Sequence, residues 1–137
     1  MKLPIDEPHV AVLKSLGDAL SELQIKAVLI GGVAISLVVQ ARYTRDVDVL
    51  VMLDTADVSR LIEGTKGHYF TPLFHDAAEF AVSARVAPLK HLPTGITVDV
   101  ALGCMPFEAE VIARARPFPI PEIGILLPTS EDLVICL

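Results

Sequence analysis

The sequence predicts a single α/β domain, α+β in some schemes, with a short mixed sheet backed by helices. Three observations carry that expectation. An amphipathic helical period opens the chain, short apolar runs of strand character follow, and two of those runs carry carboxylates at alternate or isolated positions. The 137 residues are enough for one core and too few for two, and a hydrophobic share of 53% excludes disorder.

The first helix is read from DEPHVAVLKSLGDALSELQI, where Val12, Leu13, Leu16, Ala19, Leu20 and Leu23 recur at helical spacing, with Asp6 as N-cap and Pro8 in the first turn. Lys26 to Ile30 is a short branched apolar run ended by Gly31-Gly32, which is the pattern of a buried strand. Val33 to Ala41 then reads as a second, strongly buried helix, with Ala34, Leu37 and Val38 in the core. Asp46 to Leu53 alternates acid and Val before becoming wholly apolar, as in a central strand whose first residues face a cleft.

Asp54-Thr55 caps a helix over TADVSRLIEG that stops at Gly64 or Gly67. Gly67 to Glu79 has no clear period. Phe80 to Leu89 and Gly95 to Leu102 read as a β-hairpin about Pro93-Thr94-Gly95. FEAEVIARAR after Pro106 reads as a short helix, and Phe118 to Leu127, with two prolines, as irregular edge strands or loop. Thr129-Ser130-Glu131-Asp132 has the form of a capping box, so a last helix is expected near residue 130, cut short at Leu137 as in a fragment or a docking element.

Charge and hydropathy restrict the function classes. A formal charge of −6 repels nucleic acid at long range, so a nucleic-acid partner must be held locally or through another subunit. The longest uncharged stretch, Ala27 to Ala41, is fifteen residues, short of the ~20 that span a bilayer. The amino terminus lacks the basic start and apolar core of a signal peptide, which points to the cytoplasm. Cys104 and Cys136 stand far apart in apolar settings and read as buried free thiols. His9, His68, His75 and His91 have no metal-ligand spacing and read as surface or core histidines, and Arg85, Lys90, Arg114 and Arg116 are scattered, as on a solvated face.

The informative group is Gly31-Gly32, then Asp46-Val47-Asp48, then Asp99. Paired glycines after a strand let a backbone approach closely and present N–H groups at a helix start, which suits a polyphosphate; alone they are equally an ordinary tight turn. Asp46 and Asp48, two apart on a strand, project from one face, where they can share a hard cation such as Mg²⁺ or form a wet strand edge. Asp99 is a single acid in the apolar strand ITVDVAL. If that strand lies beside the first, three carboxylates converge, as two-metal phosphoryl or nucleotidyl transfer requires.

The order of Gly-Gly, thirteen residues, Asp-x-Asp and a later apolar-Asp-apolar strand resembles the nucleotidyltransferase superfamily with the DNA polymerase β-like fold. Within it the run LIGGVAISLVVQARYTRDVDVLV is most similar to the abortive-infection toxin-like and small MNT-type bacterial nucleotidyltransferases, through Gly31, Gly32, Ala34, Arg42, Thr44, Asp46 and Asp48. The resemblance runs from about Leu20 through Asp99 to the Thr-Ser-Glu-Asp segment near the end.

It implies a metal-dependent transferase that moves an NMP from an NTP to a hydroxyl and releases pyrophosphate. Asp46, Asp48 and Asp99 would hold two Mg²⁺ ions, and Asp99 would also help to deprotonate the acceptor. Gly31 and Gly32 would contact the triphosphate. Arg42 and Thr44 belong to the motif, with Arg42 open between a phosphate or acid partner and a structural salt bridge. An RNA 3′ end, tRNA included, or a small molecule such as an antibiotic is the implied acceptor. Many active relatives have Gly-Ser where this chain has Gly-Gly, and many append a helical domain that binds the acceptor. The alternative is a non-catalytic nucleotide-binding or antitoxin-type module of a toxin–antitoxin pair, dependent on a protein partner.

Overall fold

The computed structural model describes residues 7–34 and 46–135. The motif residues Arg42 and Thr44, the expected cap Asp6, the helical positions Leu37 and Val38, and Cys136 lie outside them.

Helix α1 (Glu7–Glu22) turns its apolar stripe, Val12, Leu13, Leu16, Ala19 and Leu20, fully into the core. It ends where Gln24 takes a left-handed φ of 59°, and the Arg60 guanidinium donates to the exposed Leu23 carbonyl at 2.6 Å. Strand β1 (Ala27–Ile30) runs straight into helical backbone at residues 31–34. Strand β2 (Val47–Met52) follows; then Asp54 accepts from the Ala56 N–H and caps a 3₁₀ turn (Thr55–Asp57) that leads into α2 (Val58–Lys66).

Strand β3 (Phe70–Pro72), helix α3 (Ala77–Ala84) and strand β4 (Val86–His91) come next. Strand β5 (Thr97–Gly103) precedes α4 (Pro106–Arg114), whose start is closed by Glu108 accepting from the Cys104 and Met105 N–H groups. Short strands β6 (Arg116–Pro117) and β7 (Leu126–Leu127) are followed by α5 (Ser130–Ile135), where Thr129 accepts from the Asp132 N–H; the Asp132 carboxylate turns to Arg114 instead of closing the expected capping box.

The seven strands among the described residues form one mixed sheet in the order β3-β4-β5-β2-β1-β7-β6. β2 pairs in parallel with β5, β1 in parallel with β7, and the other neighbours are antiparallel. Alternation along the strands creates two unequal faces. Leu29, Val47, Val49, Val51, Ala87, Leu89, Val98 and Val100 face the main core with α1, α2 and α3. Val28 and Leu50 face a smaller cluster roofed by Val111 and Ile112 of α4. At ~1.5–3 kcal/mol for each buried Val or Leu, the first face holds the sheet flat against its helices.

Several expectations change. The segment from Phe80 to Ala84 is helix rather than the start of a hairpin strand: alanines favour the helix, and Arg85, at φ 57°, ends it while its side chain donates to the Leu102 carbonyl. Only Val86 onward pairs with β5. Arg85 and Arg114 are structural rather than freely solvated, since Arg114 grips the buried Asp132 in two bonds of 2.9 and 2.8 Å. Cys104 is exposed, because it lies beyond the end of β5 in the connection to α4. The expectation of a surface or core histidine stands for His91 as core: it is buried, joined to Thr94 and Ser15, and burial pushes its pKa below the usual histidine range.

Candidate functional site

The site is built from the ends of three strands. In β2, Val47 and Val49 are buried in the main core, so Asp48 between them must project from the opposite face. In β5, Val98 and Val100 do the same for Asp99. The parallel register sets Asp48 directly beside Asp99, on strands about 4.8 Å apart. Asp46 stands exposed just before β2, one step along the alternation from Asp48. Helix α4 covers this face over Val28 and Leu50 but leaves the acidic end half-buried.

Placing like charges together with partial loss of water raises the proton affinity of both paired carboxyls. The Asp48 carboxyl is pushed up from 3.8 to about 6, first by burial, then by the charges of Asp99 and Asp46. Asp99 is also raised, first by burial and then by Asp46. The charges of the three acids therefore act on one another. The donor set is all oxygen, which suits a hard divalent cation such as Mg²⁺. Among the described residues, however, no three His, Cys, Asp or Glu side chains are gathered closely enough to enclose a metal ion. The fit to a cation rests on the half-buried pair and its neighbour, not on a closed ligand shell.

Gly31 completes the geometry. β1 is antiparallel to β2 with Ile30 opposite Asp48, so the chain leaves β1 at the level of the acids. Gly31 has φ +75°, a conformation that glycine adopts without strain, and a Cβ there would run into the Asp48 carboxylate. The helical backbone thus starts in direct contact with an acid, with Gly32 next in line. Arg42 and Thr44 fall outside the described residues, and no position follows for them.

Shape alone points elsewhere. A cavity of about 820 Å³ opens at the other end of β1, lined by Gln24, Lys26, Ile112 and Leu126 among others and by no carboxylate. What the sequence did not single out is the position of Lys90 on the partner strand of Asp99. β4 places Pro88 opposite Asp99 and Lys90 opposite Thr97, so Lys90 shares the acidic face although nothing in its local sequence marks it.

A family model described as the nucleotidyl transferase AbiEii toxin of a type IV toxin–antitoxin system matches residues 14–134. The chain belongs to the AbiEii nucleotidyltransferase toxin family. Its AbiEii match spans Gly31, Gly32, Asp46, Asp48 and Asp99. No curated protein matches the sequence significantly. Among solved structures, a candidate nucleotidyltransferase from Thermotoga maritima aligns over 96% of this chain and 84% of its own, with 12% identity and a TM-score of 0.63. A CCA-adding enzyme in complex with ATP aligns over 96% of this chain and 33% of its own, with 16% identity and a TM-score of 0.58. An apo CCA-adding enzyme aligns over 74% and 22%, with 20% identity and a TM-score of 0.55. These likenesses establish the nucleotidyltransferase fold for the AbiEii chain, which spans about a fifth to a third of the CCA-adding enzymes it resembles. No described helix is long and apolar enough to cross a membrane.

Proposed function

We propose that this AbiEii domain transfers an NMP from an NTP to a hydroxyl acceptor with release of pyrophosphate, in the cytoplasm and in a Mg²⁺-dependent reaction. The observation that carries the reading is the pairing of Asp48 with Asp99 beside the Gly31 turn. Two half-buried carboxylates at adjacent register positions are unfavourable unless a cation compensates them, and the adjoining helix start is suited to phosphate.

Asp46, Asp48 and Asp99 would hold two Mg²⁺ ions, which when bound neutralise the triphosphate and lower the charge barrier to attack. The Gly31 and Gly32 backbone would receive the triphosphate beside those acids. Asp99, on the far side of Asp48 from Gly31, orients the acceptor hydroxyl and accepts its proton. A bond forms between the acceptor oxygen and the α-phosphorus. The bond from that phosphorus to the bridging oxygen breaks, and pyrophosphate departs toward the glycines. Positioning and charge neutralisation supply most of such a rate enhancement. The acceptor is an RNA 3′ end or a small molecule, and an antitoxin is the protein partner that the family suggests.

Calorimetric titration of the four NTPs with and without Mg²⁺ tests the reading. Binding that requires Mg²⁺ and disappears in Asp48→Ala supports it. Absence of binding in the unaltered protein overturns it and favours a module that acts only with a partner.

A further inference from the structure

In-line phosphoryl transfer sets the attacking and leaving oxygens on opposite sides of phosphorus. With the leaving pyrophosphate held at Gly31 and Gly32, on the β1 side of β2, the acceptor must approach from the β5 side. That side is a continuous strip of sheet. Pro88 stands opposite Asp99, Lys90 opposite Thr97, and Thr71 of β3 opposite Lys90. Ala87, Leu89 and His91 are buried toward α1 and the main core, so Lys90 between them projects from the acidic face, where it is exposed. It lies one alternation step from the Asp99 row, and β4 is about 5 Å from β5.

Lys90 is the one lysine or arginine in strands β1 to β5. Its ammonium has no hydrogen bond or ion pair among the described residues, in contrast to Lys14 and Lys66, which pair with acids on their own helices. A flexible, compact cation beside a carboxylate row suits a phosphate oxygen, which it can meet as a point charge without fixed geometry. Thr97 and Thr71, half-buried on either side, offer hydroxyl donors to the same group.

We propose that the acceptor enters across β5 and β4, opposite the Gly31–Gly32 turn, and that Lys90 binds a phosphate group of the acceptor next to the attacking hydroxyl. The proposal rests on the transferase reading and adds a direction of entry and a positioning residue to it. It explains how a chain with a charge of −6 can receive an anionic acceptor: the attraction is local.

The test uses the whole chain with a fluorescein-labelled single-stranded RNA 12-mer bearing a free 3′-hydroxyl, followed by anisotropy across a salt series in Mg²⁺. Lys90→Gln is expected to weaken binding about tenfold and to reduce the salt slope by about 0.7, the value of one single-strand phosphate contact. Lys90→Arg restores most of the affinity, and Lys66→Gln, the same charge change on a helix packed against the opposite face of the sheet, leaves it within twofold. NTP affinity in Mg²⁺, titrated separately, stays within twofold in Lys90→Gln.

Unaltered RNA affinity in Lys90→Gln, an equal loss in Lys66→Gln, or no RNA binding by the unaltered protein overturns the proposal. A matching fall in NTP affinity also overturns it, because Lys90 then serves the triphosphate. Loss of the transferase reading itself is seen separately, as absent Mg²⁺-dependent NTP binding in the unaltered protein.

Discussion

Gly31 and Asp48 constrain each other at single-atom scale. At φ +75°, alanine pays the left-handed penalty of about 1–2 kcal/mol, and its Cβ displaces the Asp48 carboxylate. Gly31→Ala is therefore expected to lower thermal stability by at least that amount and to weaken Mg²⁺-dependent NTP binding at the same time, read by melting and by calorimetry. Asp48→Asn separates the two properties. The rise of the Asp48 pKa from 3.8 to about 6 corresponds to about 3 kcal/mol of disfavoured charge, which partial solvent exposure reduces to about 1–2 kcal/mol. The metal-free variant should be more stable than the parent at pH 8 by about that much, yet fail to bind NTP. A less stable metal-free variant would mean that the carboxylate is compensated within the fold.

At the scale of elements, helix contacts decide which surfaces can approach. α1 meets the loop before β7 where Gly17 faces Gly124, and a Cβ on Gly17 would lie 2.8 Å from the Gly124 nitrogen. The obstacle is backbone, so Gly17→Ala should cost about 1–3 kcal/mol by overpacking, measured by urea denaturation. α5 is tied to α4 by the Arg114–Asp132 fork, and Asp132 is buried, its pKa held below the usual carboxylate range first by the Arg114 hydrogen bonds. Such a depressed pKa contributes stability that is present above the unfolded value and lost as pH falls through the folded one. Arg114→Ala should thus lower the melting temperature at pH 7, and the difference from the parent should shrink as acid protonates Asp132 and removes the charge that the guanidinium meets.

For the molecule as a whole, pH acts on the acidic end that the proposed reaction would load with Mg²⁺. A raised carboxyl pKa means that the folded state binds more protons than the unfolded state between 3.8 and about 6, so stability falls as pH rises through that window. The buried His91, with its lowered pKa, works in the other direction, losing stability as pH falls below the ordinary histidine value. The difference between the parent and Asp48→Asn isolates the carboxyl. It should be near zero below pH 4, grow to pH 6 and stay level above it. Mg²⁺ should close or reverse that difference at pH 8, and a difference insensitive to Mg²⁺ would remove the cation from the site.

Strand and helix character was legible wherever side-chain periodicity reports burial. The α1 stripe, the alternation in β2 and β5, and the helix start after Thr129 follow from local spacing and occur as expected. Local spacing misled where one segment changes state, as at Phe80 to Ala84, where an arginine in left-handed conformation ends a helix that no glycine or proline announces. Cys104 misled for a related reason: its apolar neighbours belong to β5 and α4, while the residue itself lies exposed between them.

The sequence by itself determined the kind of fold, the Gly-Gly turn and the presence of acids in and just before apolar strands, because each depends on residues close along the chain. Only the tertiary structure decided that Asp99 stands beside Asp48, that Gly31 abuts that carboxylate and that Lys90 shares their face. Those relations depend on strand order and register, which hydrogen bonds between distant segments set and which no local pattern encodes.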